Sequence, residues 1–397
     1  MKLINLHLIL LTLIFSAFLM NAQNVESITG QIDASGGVSV DQFGNVYIGD
    51  YGDALNNANG TTVYKIDLDH NLSVFASGFS GATGNVWDSQ GNFYQANISG
   101  NRVNKITPSG VMSNFATNGI FSPVGLTIDD QDNIYVANCG NNTIRKLTPS
   151  GISTLFASGG MFSCPNGITA DENNNIYVAN FSNGNVIRIT PTGTTSIIAV
   201  IPGNNNGHLT YKNGFLWVAS HGSNKIYQVT LDGDISVLAG VGFRGNSDGP
   251  WASATFSLPN GIEASLTGDT LYVNSSIPIF PAPGTPLNPS VVRMITGVNT
   301  IVSTEIPEVE RTAELSVFPN PFRLETVINF YLPGKSVVDL SIFDSMGRKV
   351  RNLLKGEYQD GAHDFNVEGH GLSNGLYLIK LESRYGVISK KLVVVND

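Results

Sequence analysis

Two histidines, His208 and His221, flank the strand-like string LTYKNGFLWVAS in a chain of 397 residues that holds only 6 histidines. An imidazole titrates near neutral pH, so a facing pair could act as a general base. The alternative is a pair of polar loop residues hydrogen-bonded to backbone. No nucleophile or acid accompanies them in the sequence.

The other chemistry-bearing residues are mostly amides. Asp50, Asn85, Asn97, Asn138, Asn180 and Asn274 recur at similar places in a repeating pattern, and amides of this kind bond hydroxyls and peptide groups, which suits ligand binding. Asn166 and Asn260 share the local string PNGI. Their oxygens could help to hold a hard cation such as calcium, which wants several oxygen ligands including carboxylates. Against that, Asn before Gly is also an ordinary tight-turn device. Trp87 and Trp217 could stack on a ligand, although both lie within strand-like strings and suit a core.

The elements that must position these residues are repeats. The landmark Asn closes a strand at Asn97, Asn138 and Asn180, spaced by 41 and 42 residues, the period of a four-stranded propeller blade. Each copy opens with an inner strand and hairpin (TGNVWDSQGN, PVGLTIDDQDN, PNGITADENNN). It continues through a second strand (FYQAN, IYVAN, IYVAN) and a third that alternates apolar and basic residues before a TPSG or TPTG turn. A fifth copy reads LTYKNGFLWVAS, NKIYQVTLDG and ISVLA. The first, DQFGNVYIGD, and the sixth, PNGIEASLTGDTLYVNSS, carry the insertions YGDALNNANGTT and IPIFPAPGTPLNPS. The count is six blades, with residues 24–36 supplying a strand to the last blade and closing the ring. In this geometry the loop before each inner strand and the loop after each second strand open on one face. His208 and His221 should therefore share that face and could approach each other, within a ring rich in amide and poor in charge.

The ends of the chain speak of export. Residues 1–22 combine Lys2, an apolar run from Leu8 to Met20 and a small-residue exit at Ala22, the pattern of a secretory signal peptide that leaves no membrane span in the mature chain. Cys139 and Cys164 are the only cysteines. The propeller geometry puts both on the same face at neighbouring blades, which in an exported protein reads as a disulfide. The net charge of −9 disfavours nucleic acid and anionic lipid as partners. Residues 303–312 form an acidic linker without repeat character, dividing a propeller over 23–302 from a segment over 313–397. That last segment shows about seven alternating strands, enough for a small Ig-like β-sandwich. The fold class is all-β.

The segment GVGFRGNSDGPWASATFSLPNGIEA resembles the linker and blade opening of NHL-repeat propellers. The wider pattern resembles the gluconolactonase family, and the TPSG turns resemble virginiamycin B lyase. The gluconolactonase resemblance implies calcium held by Glu, Asn and Asp at the blade openings. Asn166 matches one such Asn, but Gly36 and Gly37 stand where that family places its Glu, and no Asp stands at the later openings. The C-terminal segment closely resembles the sorting domain of the type IX secretion system of Bacteroidetes-type bacteria. Its markers are Pro319, Asn320 and Pro321 in the opening strand, Asp344, Gly347 and Arg348 in the middle, Gly375 and Tyr377 near the end, and Lys390 with Lys391 before the final strand. The resemblance implies passage through that secretion machinery, removal of the domain, and release or attachment at the outer surface of the outer membrane. The expected function is a secreted or surface-displayed binding module for a glycan, peptide or protein. The alternatives are a metal-dependent lactonase and a virginiamycin B lyase-like lyase.

Overall fold

A computed structural model describes residues 23–278, 286–298, 313–332 and 334–395. The expected signal peptide and the linker lie outside the described residues. Among the described residues there is no α-helix, and no helix long and apolar enough to cross a membrane.

Six antiparallel sheets follow one another along the chain, as the repeat predicts. Blade one is Val38–Val40, Val46–Gly49, Thr62–Ile66 and Leu72–Ser77. Blade four, the most regular copy, is Pro165–Ala170, Ile176–Asn180, Asn185–Ile189 and Thr195–Val200. Blade five is Asn206–Lys212, Phe215–Ser220, Lys225–Thr230 and Ile235–Ala239. In blade six, Asn24–Ser27 pairs with Ser290–Thr296, so the first described strand completes the last blade. This closes the ring and removes an open sheet edge. A short fifth strand, Gly249–Pro250, lies outside it.

The core is divided among the gaps between blades. Alternate residues of the inner and second strands pack into a wedge against the neighbouring blade: Leu126 and Ile134 with Tyr94, Ile168 and Val178 with Tyr135, Leu209 and Val218 with Tyr177, Ile262 and Val273 with Trp217. Trp217 is thus core, and Trp87 packs edge-on against Tyr47 and Phe93. With a period of two, the intervening residues of the inner strands face the central channel.

One hairpin device recurs on the lower rim. In blades one to four an Asp begins the turn, an Asn follows four residues later and a Tyr six residues later. In blade three Asp129 Oδ1 accepts the backbone N–H groups of Gln131 (3.0 Å) and Asn133 (2.8 Å), while Oδ2 accepts Asn133 Nδ2 (2.9 Å) and the Tyr135 hydroxyl (3.1 Å). Asp41, Asp88 and Asp171 make the same set with their own Asn and Tyr.

The C-terminal segment folds as two sheets around one core. Glu314–Phe318, Glu325–Leu332 and Gly361–Glu368 form one; Lys349–Tyr358, Ser336–Phe343, Gly375–Ser383 and Gly386–Val394 form the other. Two sequence placements need correction. The opening strand ends at Phe318, so Pro319, Asn320 and Pro321 follow it, because proline has no N–H to give a ladder. Asn320 instead clasps the last strand, donating to Lys391 O and accepting from Val393 N, both at 2.7 Å. Lys390 and Lys391 lie inside the final strand, paired with Ile379 and Leu378. Asp344, Gly347 and Arg348 form a turn, closed by Arg348 Nε to Asp344 Oδ2 at 2.8 Å. Tyr377 bonds Ser373 O at 3.0 Å, and Gly375 opens its strand.

Candidate functional site at the channel mouth

The upper rim is where the copies differ. In blades two to five the inner strand meets its second strand with a register shift at the channel mouth, between Ala82 and Asn85, Pro123 and Leu126, Pro165 and Gly167, and Asn206 and Leu209. Such a bulge re-aims the side chains beside it.

Close approach of the inner strands explains a ring of glycines. A Cβ added at Gly37 would lie 2.7 Å from Gly84 Cα; one at Gly84 would lie 2.9 Å from Gly125 Cα; one at Gly167 would lie 2.6 Å from His208 Cα. Gly37, Gly84, Gly125, Gly167 and Gly261 stand four residues before the lower turn in their blades, and the fifth blade has His208 there. Its ring crosses the channel, with Cε1 3.0 Å from the position of a Gly37 Cβ. His208 therefore occupies channel space that the glycines of the other five blades leave bare. The same crowding shows why no Glu can stand at Gly36, where a Cβ would meet Ala82 O at 2.3 Å.

The expected ligand residues fall into two groups. Asn97, Asn138 and Asn274 are fully or almost fully buried, and their amides tie loops together. Asn97 accepts from Ser80 N at 3.0 Å and donates to Gln95 O at 2.9 Å; Asn138 donates to Gly119 O at 2.8 Å; Asn274 donates to Ala34 O at 2.8 Å and accepts from Gly261 N at 2.7 Å. Asp50 accepts from Asn288 Nδ2 at 2.9 Å, and burial pushes its carboxyl up to about 6. Asn260 donates to Ser35 O at 2.7 Å and so bridges blades six and one.

The second group leaves atoms over. Asn85, Asn166 and Asn180 each donate Nδ2 to a backbone carbonyl (Gly37 at 3.2 Å, Asn206 at 3.0 Å, Met161 at 2.8 Å), and each keeps a buried Oδ1 without a partner. Asn206, which the sequence reading missed, is fully buried with neither amide atom bonded. His208 Nε2 and both nitrogens of His221 are likewise buried and unpartnered. Most of this set belongs to blades four and five. Burial pulls both imidazoles down to about 4, with Arg244 adding to the effect at His221, so both are neutral at physiological pH.

The two histidines have different surroundings. Neither His221 nitrogen has a hydrogen-bond partner, so the rings do not bond each other. His208 reaches into the channel from a strand bulge, whereas His221 follows the second strand and lies beside Phe181, ring centroids 5.7 Å apart.

A carboxyl overlooked in the sequence lies one rung below His208. Ser39, Val86, Thr127, Thr169, Thr210 and Glu263 each pair with an aromatic of the second strand, namely Tyr47, Tyr94, Tyr135, Tyr177, Trp217 and Tyr272. Glu263 is thus the only acid at that level of the inner strands. Its Oε1 accepts from Thr210 Oγ1 at 2.5 Å and Ala264 N at 2.9 Å, and burial pushes its carboxyl up to about 7 despite those bonds. Lining up the six inner strands would have revealed it as the one odd residue of its column.

The disulfide is as expected. Cys139 and Cys164 are joined, Cα atoms 3.9 Å apart, on the upper rim between blades three and four. Cys164 O accepts from Phe181 N at 2.9 Å, which ties the bridge to the aromatic beside His221.

Together these features define a six-bladed propeller with an amide-rich channel mouth, joined to a β-sandwich sorting domain. Residues 56–240 match the virginiamycin B lyase family, and residues 316–395 match the secretion system C-terminal sorting domain. No curated protein matches the chain. A protein of unknown function from Bacteroides thetaiotaomicron is 16% identical, with 69% of this chain and 76% of that one covered and a TM-score of 0.54. An auxiliary nutrient binding protein from Bacteroides ovatus is 13% identical, with coverage of 69% and 76% and a TM-score of 0.53. A gluconolactonase from Xanthomonas campestris is 14% identical, with coverage of 68% and 89% and a TM-score of 0.52. These likenesses show the propeller fold alone. The sorting domain supports secretion or display at the cell surface.

Proposed function

We propose that the propeller is an extracellular recognition module whose ligand seats over the channel mouth at blades four and five. One observation carries this reading: Asn166, Asn180, Asn206, His208 and His221 hold buried polar atoms without partners in one neighbourhood. Each such atom costs about 1–3 kcal/mol if nothing satisfies it, so a cluster of them is sustained by a bound group or ordered water. Among the described residues, the Asp, Asn and Tyr sets of the lower-rim turns leave no such atom.

The test uses the full chain with His208→Gly, which restores the residue type of the other five blades, and Asn206→Ala. Glycan and peptide screens on the wild type should give a ligand that both variants lose, with circular dichroism unchanged. A ligand held equally well by both variants would refute the assignment.

A second reading, lyase or lactonase action, draws on the match of residues 56–240 to the virginiamycin B lyase family and on His208 lying two residues from Thr210, the donor to Glu263. It asks His208 Nε2 to take a proton. An imidazole near pKa 4 is a weak base at pH 7, and efficient general bases titrate near the working pH. Calcium fits poorly beside it: the free oxygens are amides, and among the described residues no three His, Cys, Asp or Glu cluster to hold a metal. Turnover of a streptogramin or a lactone, lost in His208→Gly or made dependent on calcium, would favour this reading.

A further inference from the structure

We infer that the mouth of blades four and five takes a hydroxyl-rich, uncharged ligand, a neutral oligosaccharide, which donates hydrogen bonds to Asn166, Asn180 and Asn206 and accepts from His221. The inference rests on the recognition reading above and names the chemistry of its ligand.

The direction of the free amides is fixed by their own neighbours. Asn166 and Asn180 donate Nδ2 to the carbonyls of Asn206 and Met161. Flipping either amide would set oxygen against oxygen. What each leaves over is therefore an acceptor, and a ligand that satisfies it must bring a donor. A carboxylate or phosphate has none, and its charge would lie against amide oxygens.

A cation brings donors but finds no counter-charge. Arg244 acts on His221 electrostatically, and the imidazoles are neutral. Glu263, the one acid at its level of the inner strands, lies below His208 and is already held by Thr210 and Ala264 N. A hydroxyl escapes both objections, because it donates and accepts without charge. It also matches a neutral imidazole, one nitrogen of which donates while the other accepts; both are free in His221. Asn206 offers the same pair of roles on one amide. Phe181, half-buried beside His221, adds an apolar face against which the C–H side of a sugar ring can pack.

The experiment is saturation-transfer NMR and titration calorimetry on the full chain. The probes are neutral gluco-, xylo- and mannohexaoses, with oligogalacturonate as the anionic control, a chitosan hexamer as the cationic one and a neutral hexapeptide. At least one neutral hexaose should bind. Asn166→Ala and Asn206→Ala should each weaken it about tenfold, the value of one good hydrogen bond to the ligand. His221→Gln, which keeps a donor and an acceptor, should stay within about threefold of wild type, whereas His221→Phe should lose about tenfold or more; a purely structural role would not separate these two. Affinity should be flat from pH 6 to 8. Binding of a charged probe or the peptide, with the same dependence on Asn166 and Asn206, would overturn the ligand class and leave the site standing. Neutral-sugar binding that ignores every substitution would overturn the site as well, and no neutral-sugar binding at all overturns the inference.

Discussion

The lower and upper rims of this propeller are made by the same strands, yet they obey different rules. On the lower rim, blades one to four repeat an Asp, Asn and Tyr set in which the carboxylate is bonded by the backbone, the Asn amide and the Tyr hydroxyl of its own hairpin. On the upper rim the equivalent positions diverge: His208 replaces a glycine, Phe181 and His221 follow their second strands, and buried amide oxygens lack partners. Repetition holds the ring together, and the departures from it mark where the ring meets something else. A polar set that satisfies itself contributes stability; one that does not is tolerated where a ligand or water completes it.

Breaking the lower rim should give the largest effect. Asp129→Ala removes the acceptor for Asn133, Tyr135 and Lys146 at once, leaving buried donors unmatched. We expect a loss of roughly 3 kcal/mol or more in urea unfolding, without a local change at the channel mouth. A loss below about 1 kcal/mol would mean that the repeated turn is dispensable and would erase the contrast between the rims.

The disulfide tests whether the upper rim is held by design. Replacing Cys139 and Cys164 with Ser removes a link across a sequence separation of 25 residues, and bridges of this loop size contribute about 3 kcal/mol. Because Cys164 O anchors Phe181 N, the same change should loosen Phe181 and weaken ligand binding, whereas reduction of stability alone would make the bridge a purely structural clamp.

The smallest effect sharpens the comparison through pH. Burial raises the Glu263 carboxyl from its ordinary 4.5 to about 7, so its contribution to stability is intact below about 4.5 and is lost as pH rises through 7. The two imidazoles run oppositely: lowered from 6.5 to about 4, they contribute fully above 6.5, and that contribution is lost as pH falls through 4. Glu263→Gln should therefore equal wild type near pH 4.5 and exceed it by roughly 1–2 kcal/mol at pH 8. Equal stability at both values would show that Glu263 ionises freely in the channel.

Much of the fold was legible because a repeat is a local signal. Asn97, Asn138 and Asn180 gave the blade period, the strand from Asn24 was placed as the closing element, and the cysteines were paired through the geometry of neighbouring blades. The site was legible only in part. His208 and His221 stood out as unmatched residues, but they do not hydrogen-bond each other: one sits on a bulge aimed into the channel and the other beside Phe181. Asn97, Asn138 and Asn274 looked like ligand residues because they recur at the rim. Recurrence here reflects loop-tying hydrogen bonds that these amides make in their own blades.

By itself the sequence determined the period, the six blades, the closing strand and the sorting domain, because hydrophobic alternation and turn residues act over a few positions. The tertiary structure alone decided that five glycines must stay bare, that His208 fills the channel among them, and that Glu263 lies beneath it against Thr210. Those facts depend on how six inner strands converge on one axis, bringing residues about forty positions apart within contact, and no local pattern records that distance.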